Sequence, residues 1–181
     1  MAVTRLITAD DAPVLAELLQ ANREFLAPWG PDRGPRYFTA GGQRQLIADA
    51  RALRDRGTAL PHVILCDGGV VGRVTLSDIT RGTFQSCNLG YWVSQSHNGK
   101  GLATAAVAEI VDIAFGELGL HRIQAGAMTR NVRSQAVLQR NGFVRIGLAR
   151  AYLKIAGRWE DHILYQALNE GAARPRADGP S

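Results

Sequence analysis

Cysteine is scarce in this sequence, with two residues, Cys66 and Cys87, among 181. Two distant cysteines cannot form the disulfide framework of a small secreted protein, and they lack the spacing of a zinc site, so no metal is expected. This excludes disulfide scaffolds and zinc fingers and favours a reducing, cytoplasmic setting. We expect both thiols to be buried structural side chains rather than nucleophiles.

Long apolar runs are also missing. No segment approaches the roughly 20 apolar residues that a membrane-spanning helix needs, and the N-terminal residues show no apolar signal core, so no membrane partner is predicted. The 21 basic and 16 acidic residues give a net charge of +5. This excess suits an anionic ligand, cofactor or nucleic-acid-associated partner without identifying any of them.

The body of the chain has neither repeats nor low-complexity segments, which predicts one domain over residues 1–170. The small, polar and Pro-rich segment 171–181 is predicted to be a disordered tail. Residues 23–38 contain three prolines and are predicted to form an irregular loop. The hydrophobic patterns predict helices at about 10–22, 41–56, 100–118 and 132–140, and strands at about 3–8, 62–66, 70–76, 84–93, 122–128, 143–153 and 161–168. This order indicates an α/β fold of the α+β type, with an antiparallel front half and a β-α-β-α-β-β rear half.

The segment from Leu89 to Thr104 is the most informative, because a predicted strand enters a glycine-containing loop and then an amphipathic helix. Gly99 and Gly101 would let the backbone approach an anion, which the free N–H groups and positive end of the helix would hold, and Lys100 adds a charge. A tight strand–helix turn explains the two glycines about equally well. The segment matches neither a P-loop nor the three-glycine dinucleotide fingerprint, so a different phosphate ligand is expected.

A second polar helix start lies at Asn131, before the predicted helix 132–140. Asn131 is explained by a simple N-cap and Ser134 by a solvated position in the first turn. The alternative is functional, because both helix starts follow adjacent strands and can face one ligand.

These residues resemble the GNAT superfamily of acyl-CoA-dependent N-acetyltransferases, in which the pattern Gln/Arg-x-x-Gly-x-Gly/Ala opens the long helix. Gly99 and Gly101 fill its glycine positions, whereas Ser96 replaces the Gln or Arg that braces the loop. Within the superfamily the chain is most similar to the RimJ/RimL group of ribosomal-protein N-terminal acetyltransferases. The strings that carry this similarity occur in order between about residues 5 and 168: NREFLAPW, RGTF, LGY, NGKGL, NxxS, NGF and GRWxDH.

The resemblance implies a GNAT fold, with a mixed, mostly antiparallel sheet of six to seven strands, flanking helices and a splayed central strand pair. It implies acetyl-CoA as cosubstrate, with the pyrophosphate on the amides of residues 98–103 and the pantetheine arm paired with main-chain groups near Trp92 and Val93. The implied cofactor-binding residues are Trp92, Val93, Asn98, Gly99, Lys100, Gly101, Leu102, Ala103, Asn131 and Ser134.

The resemblance also implies two catalytic groups. Ser134 would protonate the departing thiolate, and the main-chain N–H of Val93 would stabilise the oxyanion. An N-terminal amine has a pKa of about 7.7–8.0, so a useful fraction is neutral near pH 7 and no strong base is required. The glutamates of RimL-like members fall on Asn88 and near Leu153, so the base stays open among Glu24, His97, Tyr152, Glu160, Asp161 and His162.

Glu24, Phe25 and Trp29, together with Tyr152, are predicted to line the acceptor groove, although packing against the core or simple exposure explains them as well. The predicted acceptor is the N-terminal α-amine of a protein, such as a ribosomal protein, and the enzyme is expected as a monomer or homodimer. A small amine or antibiotic acceptor, or a non-catalytic acyl-CoA-binding regulator of ribosome assembly, remains an alternative. Four arginines near the loop can attract an acidic surface or RNA, or form a solvated basic face: Arg23, Arg33, Arg36 and Arg44.

Overall fold

The computed structural model describes residues 2–171, so nearly all of the predicted tail lies outside the described residues. The strands are β1 (Thr4–Leu6), β2 (Leu60–Cys66), β3 (Gly69–Thr80), β4 (Ser86–Val93), β5 (Arg122–Met128), β6 (Val144–Ile155) and β7 (Arg158–Leu168). The helices are α1 (Ala12–Ala21), α2 (Arg23–Leu26), α3 (Ala40–Asp55), α4 (Leu102–Asp112) and α5 (Val132–Arg140). Within residues 2–171, no helix combines the length and the apolar character needed to cross a bilayer.

All seven strands form one sheet in the order β1-β2-β3-β4-β5-β7-β6. The β4–β5 pair is parallel and the other pairs are antiparallel. The predicted mixed, mostly antiparallel sheet with flanking helices is therefore confirmed. The parallel pair requires a crossover connection, which the loop before α4 and the helix itself provide.

The central strand pair is splayed, as predicted. β4 and β5 pair only from Ser86 opposite Arg122 to Leu89 opposite Ala125. Beyond that point β4 continues against β3 as far as Val93, and β5 continues against β7 as far as Met128. The two strands therefore leave a wedge-shaped gap in the middle of the sheet, where backbone groups of β4 lack a β5 partner.

Two apolar clusters cover the two faces of the sheet. Adjacent side chains of β2 point to opposite faces, so Ile64 belongs to the cluster under α4, whereas Val63 belongs to the cluster under α1 and α3. Ile110 of α4 is fully buried on the first face and Ile47 of α3 on the second. Helices α4 and α5 border the gap on one face of the sheet, and α1 and α2 border it on the other face.

Three local predictions differ from the structure. Segment 23–38 is not irregular throughout, because it contains α2 and two 3₁₀ turns, Ala27–Trp29 and Pro35–Phe38. α4 ends at Asp112 and continues as a π-helical turn, Ile113–Glu117. Strand β7 begins earlier than predicted because Ala156 and Gly157, both with positive φ, make a tight turn directly after β6.

The prediction of two buried thiols is correct for one. Cys87 is buried within the main apolar cluster, and this burial raises its thiol pKa to about 12. Cys66 is half-exposed at the end of β2, so the prediction is wrong there.

Candidate active site

The loop before α4 presents a row of unbonded amides. Gly101 is the N-cap of α4 with φ 77°, and Gly99 has φ 76°, a region that costs other residues about 1–2 kcal/mol. The first helical bond runs from the Ala105 N–H to the Gly101 carbonyl, and in the described chain the N–H groups of residues 99–104 donate to no other group. The expected set began one residue earlier, but the Asn98 N–H donates to the Gln95 carbonyl oxygen. Six successive free amides and the positive end of a helix can together hold a phosphate or diphosphate.

A buried asparagine braces this loop, although Ser96 occupies the usual bracing position. Oδ1 of Asn22 accepts a hydrogen bond from the Gln95 N–H at 2.7 Å, and its Nδ2 donates to the Leu18 carbonyl oxygen. Ser94 Oγ lies 2.8 Å from Nδ1 of His97, and Ser96 Oγ lies 3.0 Å from the same atom. His97 therefore contributes to the loop structure rather than reaching across the site.

A groove of about 1140 Å³ separates α4 from α5. Each helix contributes residues at i, i+3, i+4 and i+7: Gly101, Thr104, Ala105 and Ala108 from α4, and Arg133, Ala136, Val137 and Arg140 from α5. The small side chains of α4 leave room for a bulky ligand. The guanidinium groups of Arg133 and Arg140 place positive charge on the opposite wall, which suits a phosphorylated ligand.

Ser134 lies at the inner end of this groove in the first turn of α5. Oδ1 of Asn131 accepts a hydrogen bond from the Ser134 N–H at 3.1 Å, so Asn131 is the N-cap. The Tyr91 hydroxyl lies 2.9 Å from Ser134 Oγ and donates to the Ser134 carbonyl oxygen at 3.1 Å. Burial raises the pKa of Tyr91 to about 12, so its phenol stays protonated at neutral pH and remains a hydrogen-bonding partner of Ser134.

A smaller cavity of about 260 Å³ lies at the gap between β4 and β5, where the groove ends. It brings together residues that the sequence placed in separate roles: Phe25, Trp29, Trp92, Val93, Asn98, Ala103, Asn131 and Ser134. The predicted thioester-binding and acceptor-binding residues therefore meet at one place.

Main-chain geometry opens Val93 toward this gap. The Ser94 N–H donates to the Val71 carbonyl oxygen at 2.8 Å, and alternate residues of an antiparallel strand bond to the same neighbour. The N–H groups of Tyr91 and Val93 therefore point away from β3, where β5 has already diverged. The main chain of Trp92 faces β3 instead, so its backbone groups, which were expected to pair with a ligand, are directed away from the gap.

A third cavity, of about 390 Å³, lies on the opposite face of the sheet. It shares Leu26, Trp29, Tyr91 and Trp92 with the 260 Å³ cavity, and its outer wall includes Arg23, Arg33, Tyr37 and Phe38. We call it the acceptor cavity because Trp29, which is predicted to line the acceptor groove, lies in its wall. The groove, the 260 Å³ cavity, which we call the central cavity, and the acceptor cavity follow one another through the gap. Two ligands can therefore approach each other from opposite faces.

Three predicted site residues lie outside these cavities. Glu24 is exposed on α2, Lys100 is exposed beside the groove, and neither lines the three spaces. Tyr152 of β6 is 39% exposed, its ring centroid lies 5.5 Å from that of His162, and it does not line the three cavities. The structure does not bring Tyr152 together with the other predicted acceptor residues.

The remaining base candidates are held in structural contacts. Glu160 forms an ion pair with Arg130 at 3.1 Å. Oδ1 of Asp161 accepts a hydrogen bond from the Ala151 N–H at 2.8 Å, which ties β6 to β7. Nδ1 of His162, which is buried, lies 3.0 Å from the Glu160 carbonyl oxygen.

Sequence reasoning missed Tyr91, Asn22 and the two arginines of α5. The arginines carry a readable signal, since Arg133 and Arg140 are seven residues apart and share a helix face with Ala136 and Val137. Tyr91 and Asn22 give no local signal, because their partners lie 43 and 73 residues away along the chain.

Comparison with known proteins agrees with this geometry. Residues 3–144 match the acetyltransferase (GNAT) domain family. The chain is 40% identical over 167 residues to the probable N-acetyltransferase YjcK of Bacillus subtilis, covering 91% of this chain and 92% of that protein. The solved ribosomal-protein-S5-alanine acetyltransferase of Vibrio fischeri superposes with a TM-score of 0.90 at 37% identity, covering 95% of this chain and 94% of that one. RimJ of Mycobacterium smegmatis, solved in complex with CoA-disulfide, also superposes with a TM-score of 0.90. It is 34% identical, and the match covers 94% of this chain and 83% of that one.

The chain belongs to the GNAT family of acetyltransferases. Its similarity within that family is to the RimJ/RimL group of N-acetyltransferases, as the sequence predicted. The predicted family, fold and enzyme class are therefore confirmed, and the CoA-bound relative agrees with the predicted acetyl-CoA cosubstrate.

Proposed function

We propose that the protein transfers the acetyl group of acetyl-CoA to the N-terminal α-amine of a protein, such as a ribosomal protein, in the cytoplasm. The observation that carries this proposal is the continuous path from the groove through the central cavity to the acceptor cavity. The path supplies separate entrances for the thioester and the amine.

Acetyl-CoA would lie in the groove with its diphosphate on the open amides of residues 99–104. Arg133 and Arg140 supply neutralising charge from the facing helix. The pantetheine arm then enters the gap as an extra strand, because the unpaired main-chain groups of Tyr91 and Val93 point into it. This arrangement brings the thioester to Ser134.

The reaction is direct attack of the neutral amine on the thioester carbonyl carbon. The N–H of Val93 stabilises the oxyanion that forms, and holding both substrates in one cavity supplies orientation. The carbon–sulfur bond then breaks, and the CoA thiolate takes a proton from Ser134 Oγ. The Tyr91 hydroxyl, 2.9 Å away, passes a proton to Ser134 and regains one from solvent, which balances the proton that the amine releases. The amine releases its surplus proton to water, so no strong base is needed when the amine has a pKa of about 7.7–8.0.

A protein N-terminus suits the shape of the acceptor side. The acceptor cavity lies on the face opposite the CoA groove, so a polypeptide can enter by its first residue and continue outward without crossing the cofactor. A relative of the same fold is named as an acetyltransferase of ribosomal protein S5 alanine, which supports a protein acceptor.

The proposal is tested by following thiol release from acetyl-CoA with N-terminal peptides and with small amines. We expect calorimetric heat with CoA and turnover on peptides that have a free α-amine. Peptides with a blocked N-terminus and a free lysine are the control and should not react. Absence of CoA binding in folded protein, or turnover on small amines but on no peptide, would overturn the proposal.

A further inference from the structure

The acceptor cavity is lined by more positively than negatively charged side chains. The guanidinium group of Arg23 lies 4.6 Å from the Phe38 ring centroid, and that of Arg33 lies 4.7 Å from the Tyr37 ring centroid. Neither arginine takes part in the ion pairs or side-chain hydrogen bonds found within residues 2–171. Both therefore retain all of their hydrogen-bond donors while their aromatic contacts hold them in place.

A third arginine lies behind these two. Arg73 of β3 is directly opposite Trp92 of β4, so its side chain shares the face of the sheet that the acceptor cavity occupies. Arg73 forms no ion pair in the described structure. Burial and the nearby charge of Arg33 both lower its pKa, whereas Tyr37 opposes this change. No carboxylate of the described residues therefore lies within ion-pairing distance of Arg73.

The cavity has one carboxylate, that of Asp32, and it does not neutralise the arginines. Asp32 Oδ2 lies at the turn around Gly157, 3.4 Å from the position that a Cβ atom would take there. No nitrogen of Arg23 or Arg33 lies within 4.0 Å of its oxygens. The cavity therefore keeps a positive balance near the route of the acceptor.

We propose that this cavity selects acceptor peptides with an acidic side chain close behind the N-terminal residue, and that Arg23 and Arg33 bind that carboxylate. The inference rests on the proposed function. The first residue of the peptide must reach the central cavity beside Ser134. Trp29 and Trp92 line both the central cavity and the acceptor cavity, so the rest of the peptide passes from one into the other. Because each extended residue spans about 3.3–3.6 Å, the second to fourth residues then pass the two arginines. A guanidinium pairs with a carboxylate through two parallel hydrogen bonds, which gives geometric selectivity.

The experiment compares acetylation of peptides that share an N-terminal alanine and differ by Glu, Gln or Lys at positions two to four. For the unmodified enzyme we expect kcat/KM to be about tenfold higher with Glu than with Gln, mainly through KM, and lower still with Lys. Arg23→Gln and Arg33→Gln should each reduce the preference for Glu, and Arg33→Lys should retain part of it. Arg44→Gln is the matched control, because Arg44 is exposed on α3 and lines none of the three cavities.

The outcomes separate the two proposals. Failure to acetylate any peptide contradicts the proposed function itself. If the Glu, Gln and Lys peptides are acetylated with equal kcat/KM, only the acidic preference is overturned. The same holds if Arg23→Gln and Arg33→Gln lower kcat/KM equally for all of these peptides. If a variant does not fold, the same question is answered by measuring the preference for Glu peptides with the unmodified enzyme at low and at high salt concentration. The preference for Glu should then shrink, and a preference that salt leaves unchanged contradicts an ionic contact.

Discussion

Replacing Gly101 by leucine tests whether the glycine loop holds a ligand or only turns the chain. Gly101 has φ 77°, and a Cβ built there meets no protein atom within 4 Å. The substitution should therefore lower the free energy of unfolding only by the backbone strain, about 1–2 kcal/mol. The added side chain would occupy the open space in front of the amides of residues 99–104. Displacing a diphosphate from two charge-assisted hydrogen bonds costs about 3 kcal/mol or more, which raises the Kd for CoA more than a hundredfold.

Gly119→Leu is the matched control for this prediction. Gly119 also has positive φ, 60°, and a Cβ there also meets nothing within 4 Å, but it lies beyond the other end of the helix. Chemical denaturation should show similar losses for the two variants, whereas calorimetry should show weakened CoA binding only for Gly101→Leu. Equal CoA affinity in the two variants would refute the assignment of the loop as a diphosphate site and leave Gly101 as a turn residue.

Three further predictions concern catalysis, pH and charge. Ser134→Ala should lower kcat by about 10²-fold or more and leave the Kd for CoA nearly unchanged, whereas an unaltered rate would remove its role as the acid. His62 is buried, and this lowers its pKa to about 4 from 6.5. The unfolded chain therefore binds a proton that the folded chain does not, and about 3 kcal/mol of stability should be lost as pH falls from 6.5 to 4. Urea unfolding of His62→Gln should show a flatter pH dependence, and an unchanged slope would assign it to another group. Arg140→Gln should weaken CoA binding about three- to tenfold and reduce its dependence on salt, and calorimetry at two salt concentrations checks this.

The sequence predicted the strand–loop–helix unit well because its signals are local. Positive φ at Gly99 and Gly101, the helical spacing of apolar residues in α4 and the Asn131 cap act within a few residues of each other. Each reflects a conformational preference that the short segment carries by itself. The turn into α4 and the start of α5 therefore follow from local signals, whereas the diphosphate role of that turn stays a prediction.

The acceptor side was predicted less well because it is assembled from distant segments. Trp29 and Tyr152 were predicted to line one groove, but the path of β6 places Tyr152 against His162 instead. The arginines near the loop looked equivalent in sequence, yet Arg23 and Arg33 line the acceptor cavity and Arg44 does not. Which face a side chain occupies there depends on how the turns of segment 23–38 pack against the sheet, and short-range preferences do not specify this packing.

By itself, the amino-acid sequence determined the alternation of strands and helices and the amide-rich turn into α4, since these follow from backbone preferences and periodic burial. Tertiary structure alone decided where β4 and β5 separate, which is after Leu89 and Ala125. That separation leaves the N–H of Val93 without a β5 partner, at the place where we propose an oxyanion donor. Only the folded sheet brings the Tyr91 hydroxyl within 2.9 Å of Ser134 Oγ. The physical reason is that hydrogen bonding between strands is settled by the neighbours present in the folded sheet, and these come from parts of the chain far from either strand.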